Sequence, residues 1–220
     1  MMRKINKVAI FLVILIVGVV ESSRGADVSL HALGRGYALP DTGQTGCWNA
    51  SATPITCPAH GADGEQDGSY NPDASQPNYT DNGDLTITDN RTGLMWKKCS
   101  EGLSGDSCAT GSASQLTWSQ ALTQCVGLTT PVYSDWRLPN IKELMSITNY
   151  QNRDPAVDTT YFPGTPNVYY WSSTSYVPSP DYAWDSYFKI GTGINSPKSN
   201  TDHVRCVKWS GKTGPIFRLT

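Results

Sequence analysis

The sequence predicts an α+β fold: two short helices followed by a small antiparallel sheet, disulfide-stabilised and preceded by a loop-rich N-terminal extension. Three observations carry this expectation. Trp118, Ala121, Leu122 and Cys125 fall at i, i+3, i+4 and i+7, one apolar stripe of a helix, and Ile141, Leu144 and Met145 repeat the spacing. Three later runs, Tyr169 to Thr174, Tyr182 to Ile190 and His203 to Lys208, alternate and are rich in aromatic and β-branched residues, as antiparallel strands are. Six cysteines, an even number, all follow the N-terminal apolar run.

Residues 1–25 read as a signal peptide. Arg3, Lys4 and Lys7 precede an apolar run from Val8 to Val20, too short to cross about 30 Å of hydrocarbon as a helix. Ser23 and Gly25 suit cleavage before Ala26, and no cysteine follows closely enough for a lipid anchor. An exported protein is expected, periplasmic or at the cell surface, with no stable membrane span after cleavage. Cleavage would remove Arg3, Lys4, Lys7 and Arg24 but only one acid, Glu21, making the chain more acidic than its formal net charge of −2. An acidic chain without basic runs argues against nucleic acid as a partner.

Residues 26–78 read as the extension, with Cys47 and Cys57 flanking a small loop among Gly, Asp, Pro and Asn. The main domain spans 79–210, with a tail at 211–220. Asn82-Gly83 signals a two-residue hairpin turn, after which Leu85 to Thr88 alternate as a half-buried strand and Gly93 to Trp96 form a second. Gly127 is placed to cap the first helix. Asn140 N-caps the second, with Glu143 three residues on completing a capping box. Residues 151–168 read as a Pro-bearing connector.

Six cysteines permit many pairings. Cys47 with Cys57 and Cys99 with Cys108 are each close in sequence and separated by turn residues, while Cys125 and Cys206 lie at a helix end and in a strand-like run; these three bonds are the expected set. The spacings fit no zinc framework.

Candidate sites follow from composition. Trp118, Trp136 and Trp171 fit core positions, whereas Tyr176, Tyr182, Trp184 and Tyr187, with Lys198 nearby, fit a shallow glycan surface on or beside the loop from Tyr176 to Asp181. Arg137 offers a planar fork suited to pairing a carboxylate and loop carbonyls at the helix entry, which makes the Asp135, Arg137 and Glu143 group structural. No catalytic motif is present, and His203 beside Asp202 and Arg205 reads as a solvated strand-end histidine. Turn chemistry accounts for Asp81, Asn82, Asp84, Asp89 and Asn90, which lack EF-hand spacing. Asp181, Asp185, Asn195, Asn200 and Asp202 leave calcium open without a motif, and no cofactor is expected.

Together, Gly93 to Trp96, the Trp118/Ala121/Cys125 helix, Asp135 to Asn140 with Glu143-Leu144, Tyr170 to Ser173 and Val204 to Val207 resemble the family named for the C-terminal domain of the Legionella collagen-like protein. The resemblance covers about residues 79 to 209, and no Gly-x-y repeats accompany it. The same layout is similar, more distantly, to C-type lectin-like and formylglycine-generating enzyme folds. It implies a C-type-lectin-like architecture in which the helix cysteine bonds the closing strand, Cys125 to Cys206. A calcium-type lectin would need a Glu-Pro-Asn or Gln-Pro-Asp tripeptide; Gln76-Pro77-Asn78 resembles one but precedes the domain. The family implies a non-catalytic, adhesion-type module that binds polysaccharide or a cell-surface partner, in some members as a homo-oligomer. The alternatives are an assembly subunit of a surface appendage and a formylglycine-generating-like enzyme, which needs a free thiol.

Overall fold

The computed structural model describes residues 42–59, 62–70, 78–129 and 133–211. The expected signal peptide, the start of the extension, Gln76-Pro77 and nearly all of the tail lie outside them. Few helices and several small antiparallel sheets make up the domain, which is mostly sheet. Three disulfides join Cys47 to Cys57, Cys99 to Cys108 and Cys125 to Cys206, the expected set.

In the extension, β1 (Cys47–Trp48) and β2 (Pro54–Ile55) pair beside their disulfide, and a single turn, α1 (Asp67–Tyr70), follows. The Gln66 amide serves as a substitute strand, accepting from the Trp48 backbone amide at 3.0 Å and donating to its carbonyl at 2.8 Å. The Tyr150 backbone amide donates to the Thr42 carbonyl, fastening the extension to the main domain.

The first main sheet has the order β11-β5-β4-β3, built from β3 (Tyr79–Asp81), β4 (Thr86–Asp89), β5 (Leu94–Lys97) and β11 (Val207–Trp209). The turn at Asn82-Gly83 is longer than expected, because Asp81 pairs with Ile87 and residues 82–85 form the connection. Nor is β4 half-buried: all four residues are enclosed, since chain packs on both faces. A hairpin of two-residue strands, β6 (Leu103–Ser104) and β7 (Thr110–Gly111), lies next to the Cys99–Cys108 disulfide.

Helix α2 (Trp118–Gly127) matches the apolar stripe, with Ala121 and Cys125 buried. Gly127 does not cap it. Leu128, in an extended conformation, takes that position. Helix α3 (Ile141–Met145) has the expected capping box: Asn140 Oδ1 accepts from the Glu143 amide at 2.9 Å, and Glu143 Oε2 accepts from the Asn140 amide at 2.8 Å.

The second main sheet, order β10-β9-β8, contains β8 (Tyr169–Ser175), β9 (Tyr182–Tyr187) and β10 (Thr192–Pro197). Strand β10 was not legible from periodicity, because Gly, Asn, Ser and Pro fill it. The His203 to Lys208 run does not join this sheet as a third antiparallel strand. His203 forms a parallel bridge to Tyr170, and the chain then crosses to pair Val207 with Trp96 in the first sheet.

Two-residue periodicity divides the interior into two cores. Trp96, Tyr170 and Val207 point into one with Leu144, Ile147 and Phe188; their chain neighbours Met95, Trp171 and Cys206 point into the other with Ala121, Cys125 and Trp136. The segment 151–168, read as a connector, supplies Val157 and Phe162 to the first core, both fully enclosed. Their apolar side chains gain too much by burial to remain in a solvent-facing loop.

Candidate functional site

Strand alternation decides which aromatic residues share a surface. In β9 and β10, Trp184 pairs with Asn195 and Tyr182 with Pro197, so these four side chains lie on one face. Farther along that face, α3 covers the sheet: Ser186 Oγ lies 3.4 Å from Met145 Sδ, and Ile141 and Met145 approach Gly193. Nearer the loop, the face is half-buried and uncovered, and Tyr176 packs edge-on against Trp184 with ring centroids 5.4 Å apart. The Tyr176 amide donates to the Tyr182 carbonyl, closing the loop over residues 177–181 and fixing the two tyrosines relative to each other.

Tyr176, Tyr182 and Trp184 are therefore brought together as an aromatic ledge, joined by Asn195 and Pro197 from the strand that sequence reasoning missed. Among the described residues, the Tyr176 and Tyr182 hydroxyls, the Trp184 indole N–H and the Asn195 amide have no hydrogen-bond partner. Ring faces flanked by uncommitted donors and acceptors are what a flat, hydroxyl-bearing ligand requires.

Tyr187 and Lys198 stand apart from the ledge. Tyr187, three residues after Trp184, faces the other side and stacks on Tyr169 at 4.4 Å. Lys198 Nζ donates to Ser175 Oγ and to the Pro180 carbonyl, each at 2.8 Å, and lies 4.0 Å from the Trp118 ring centroid. Its charge fastens the 176–181 loop to the start of α2.

Trp136 and Trp171 are buried, and Trp171 Nε1 donates to the Leu116 carbonyl. Trp118 is half-buried, and its Nε1 donates to the Ser172 carbonyl. Arg137 binds Glu143 through both guanidinium branches, each at 2.7 Å, while Asp135 pairs instead with Lys208 at 2.9 Å. His203 is not a solvated histidine. It is 7% exposed, its Nδ1 lies 3.0 Å from the Ser114 carbonyl, and burial holds its pKa below the usual value.

Arg205 is a fully enclosed hub. One branch donates to the Lys97 carbonyl at 2.8 Å and to the Lys98 carbonyl; the other donates to Ser100 Oγ at 3.1 Å and Thr165 Oγ1 at 2.7 Å. It also lies over the Phe162 ring, and burial lowers its pKa. A cation within the apolar motif Val204 to Val207 was the available sequence signal for such a residue.

Two carboxylates lie behind the ledge. Asp185 is wholly buried, with neither oxygen hydrogen-bonded; Ser196 lies near but falls short of hydrogen-bond geometry. Burial pushes its carboxyl up to about 6. Asp202 is raised to about 6 by burial and then by the nearby charge of Asp185, and its buried Oδ2 also lacks a partner. A separate open groove of about 720 Å³ follows α2, but two of its lining amides are committed, Gln120 to the Thr117 cap and Gln124 to Glu101.

Among the described residues no helix is long and apolar enough to cross a membrane, and the three disulfides fit an oxidising compartment. No curated protein matches the chain. Residues 85–208, more than half of the sequence, match the family model of the Lcl C-terminal domain, with the paired β4 and β5 near their start and the Arg205 hub and β11 at their end. The chain belongs to the Lcl C-terminal domain family.

Proposed function

We propose that this protein is an exported, non-catalytic binding module that recognises polysaccharide through the ledge of Tyr176, Tyr182, Trp184 and Asn195. One observation carries the reading: the half-buried rings lie together on an uncovered sheet face, beside polar groups unused by the fold. Rings supply apolar area to the C–H face of a sugar, and the amide and hydroxyls bond to its edge. The engagement of Lys198 elsewhere favours an uncharged glycan over a sulfated one.

The wider architecture is read as C-type-lectin-like, supported by the bond from the α2 cysteine, Cys125, to Cys206 just before the closing strand. All six cysteines are in disulfides, which supports recognition over thiol chemistry of the formylglycine-generating kind. The test is a glycan-array screen of the oxidised protein beside its Trp184→Ala variant. Binding lost in the variant supports the reading. A folded protein that binds no glycan turns it towards a cell-surface protein or an assembly role with self-association.

A further inference from the structure

We propose that the Asp185 and Asp202 carboxylates, with the Ser196 hydroxyl beside them, hold a buried hard divalent cation of the calcium type behind the aromatic ledge. The proposal is independent of what the ledge binds.

Asp185 pairs with Trp171 on one side and Ile194 on the other, which places its side chain with Trp171 and Ala183 on the face packed beneath α2. This is the face opposite Trp184. Asp202 reaches the same region because Leu116 and Asp202 exchange both backbone hydrogen bonds, while Trp171 Nε1 donates to the Leu116 carbonyl between them in the network. Ser196, opposite Ala183 in the register, lies on the Asp185 side of β10.

A buried carboxylate is stable only when it is protonated, paired or bound to a metal. The neighbouring cations are committed: Lys198 to Ser175 and Pro180, Arg205 to Lys97, Lys98, Ser100 and Thr165, and the His203 ring to Ser114. No salt bridge among the described residues includes Asp185 or Asp202. Two carboxylates balance a divalent ion, and with a hydroxyl they provide hard oxygen donors, water completing the six to eight that calcium takes. Among the described residues no group of three or more His, Cys, Asp or Glu is placed to hold a metal ion, so a zinc-type donor set does not form and the site rests on two carboxylates completed by hydroxyl and water oxygens.

The placement fixes the ion's role. Trp184 and Asp185 are consecutive in β9, as Asn195 and Ser196 are in β10, so an ion on the buried side would lock the strands that carry the ledge. It would hold the binding face without touching the ligand.

The experiment is calorimetric titration of calcium into the oxidised, chelator-stripped protein, with thermal unfolding followed in parallel. One ion per chain and a saturable rise of about 5 °C in Tm are expected. Asp185→Asn and Asp202→Asn abolish both, and Ser196→Ala weakens binding. Asp185→Asn removes an unpaired charge at constant shape, so the variant folds in chelator and remains informative. No heat and no shift with calcium or magnesium overturns the proposal. So does a calcium-induced shift that survives in the double Asp variant.

Discussion

Trp184 and Asp185 are adjacent in β9 and face opposite sides of the sheet, the indole on the uncovered ledge and the carboxylate enclosed beneath α2. One strand thus holds the candidate recognition surface and the least satisfied acid in the described structure. The two are separable by mutation.

The first prediction concerns that acid in metal-free protein. An unfolded aspartate titrates near 3.8, whereas Asp185 in the fold titrates near 6. Between these values the native state holds the extra proton, so this group's contribution to stability falls as pH rises from about 4 to about 6, and the penalty is complete above 6. Asp202 acts in the same sense, and His203 opposes both, because its lowered pKa costs stability as pH falls through 6.5. Asp185→Asn isolates the first slope. In chelator, urea unfolding should show the variant more stable than wild type above pH 7 by as much as about 3 kcal/mol, with the gap closing near pH 4. An equal gap at both values contradicts the assignment.

Arg205 provides the second. Replacing it with methionine strips donors from the Lys97 and Lys98 carbonyls and from the Ser100 and Thr165 hydroxyls, all joined inside the core. A loss of about 3 to 5 kcal/mol is expected in denaturant unfolding. Arg205→Lys should recover only part of it, since an ammonium cannot span both branches. A variant as stable as wild type contradicts the hub.

The third compares disulfides. Cys125–Cys206 closes a separation of 81 residues and Cys47–Cys57 one of 10. Loop-closure entropy assigns the long bond about 4 to 5 kcal/mol and the short one about 3. The Cys125→Ala/Cys206→Ala pair should therefore lower Tm more than Cys47→Ala/Cys57→Ala. The reverse order contradicts it.

The fourth concerns Glu143, which accepts from both branches of Arg137 and from the Asn140 amide. Glu143→Ala should cost about 1 to 3 kcal/mol in urea unfolding, and Glu143→Gln less, because glutamine keeps the cap but loses the charge. A neutral Glu143→Ala contradicts a structural role.

What was legible in the sequence was local. The α2 stripe, the Asn140/Glu143 box and the two short disulfides rest on spacing and short-range chemistry, and each is present in the fold; Cys125–Cys206, 81 residues apart, is also present but was expected from its place in a helix and a strand and from the family resemblance. What was not legible depended on partners distant in sequence. Strand β10 lacks β-branched alternation apart from Ile194 and exists because β9 offers it an edge. His203 is buried because the chain passes beside Tyr170 before crossing between sheets. In the candidate site, the tyrosine and tryptophan types were visible, and so was the alternation that separates Trp184 from Tyr187, but the placing of Asn195 and Pro197 beside them needed the observed register.

The fifth prediction is the most direct test of the account: glycan-array binding by wild type, Trp184→Ala and Tyr187→Ala, each verified as folded by its unfolding transition. Trp184→Ala should weaken binding at least about tenfold, the loss of one stacked ring, while Tyr187→Ala, altered on the opposite face, binds as wild type does. Equal loss in both variants, or full binding without Trp184, would contradict a glycan site on the ledge.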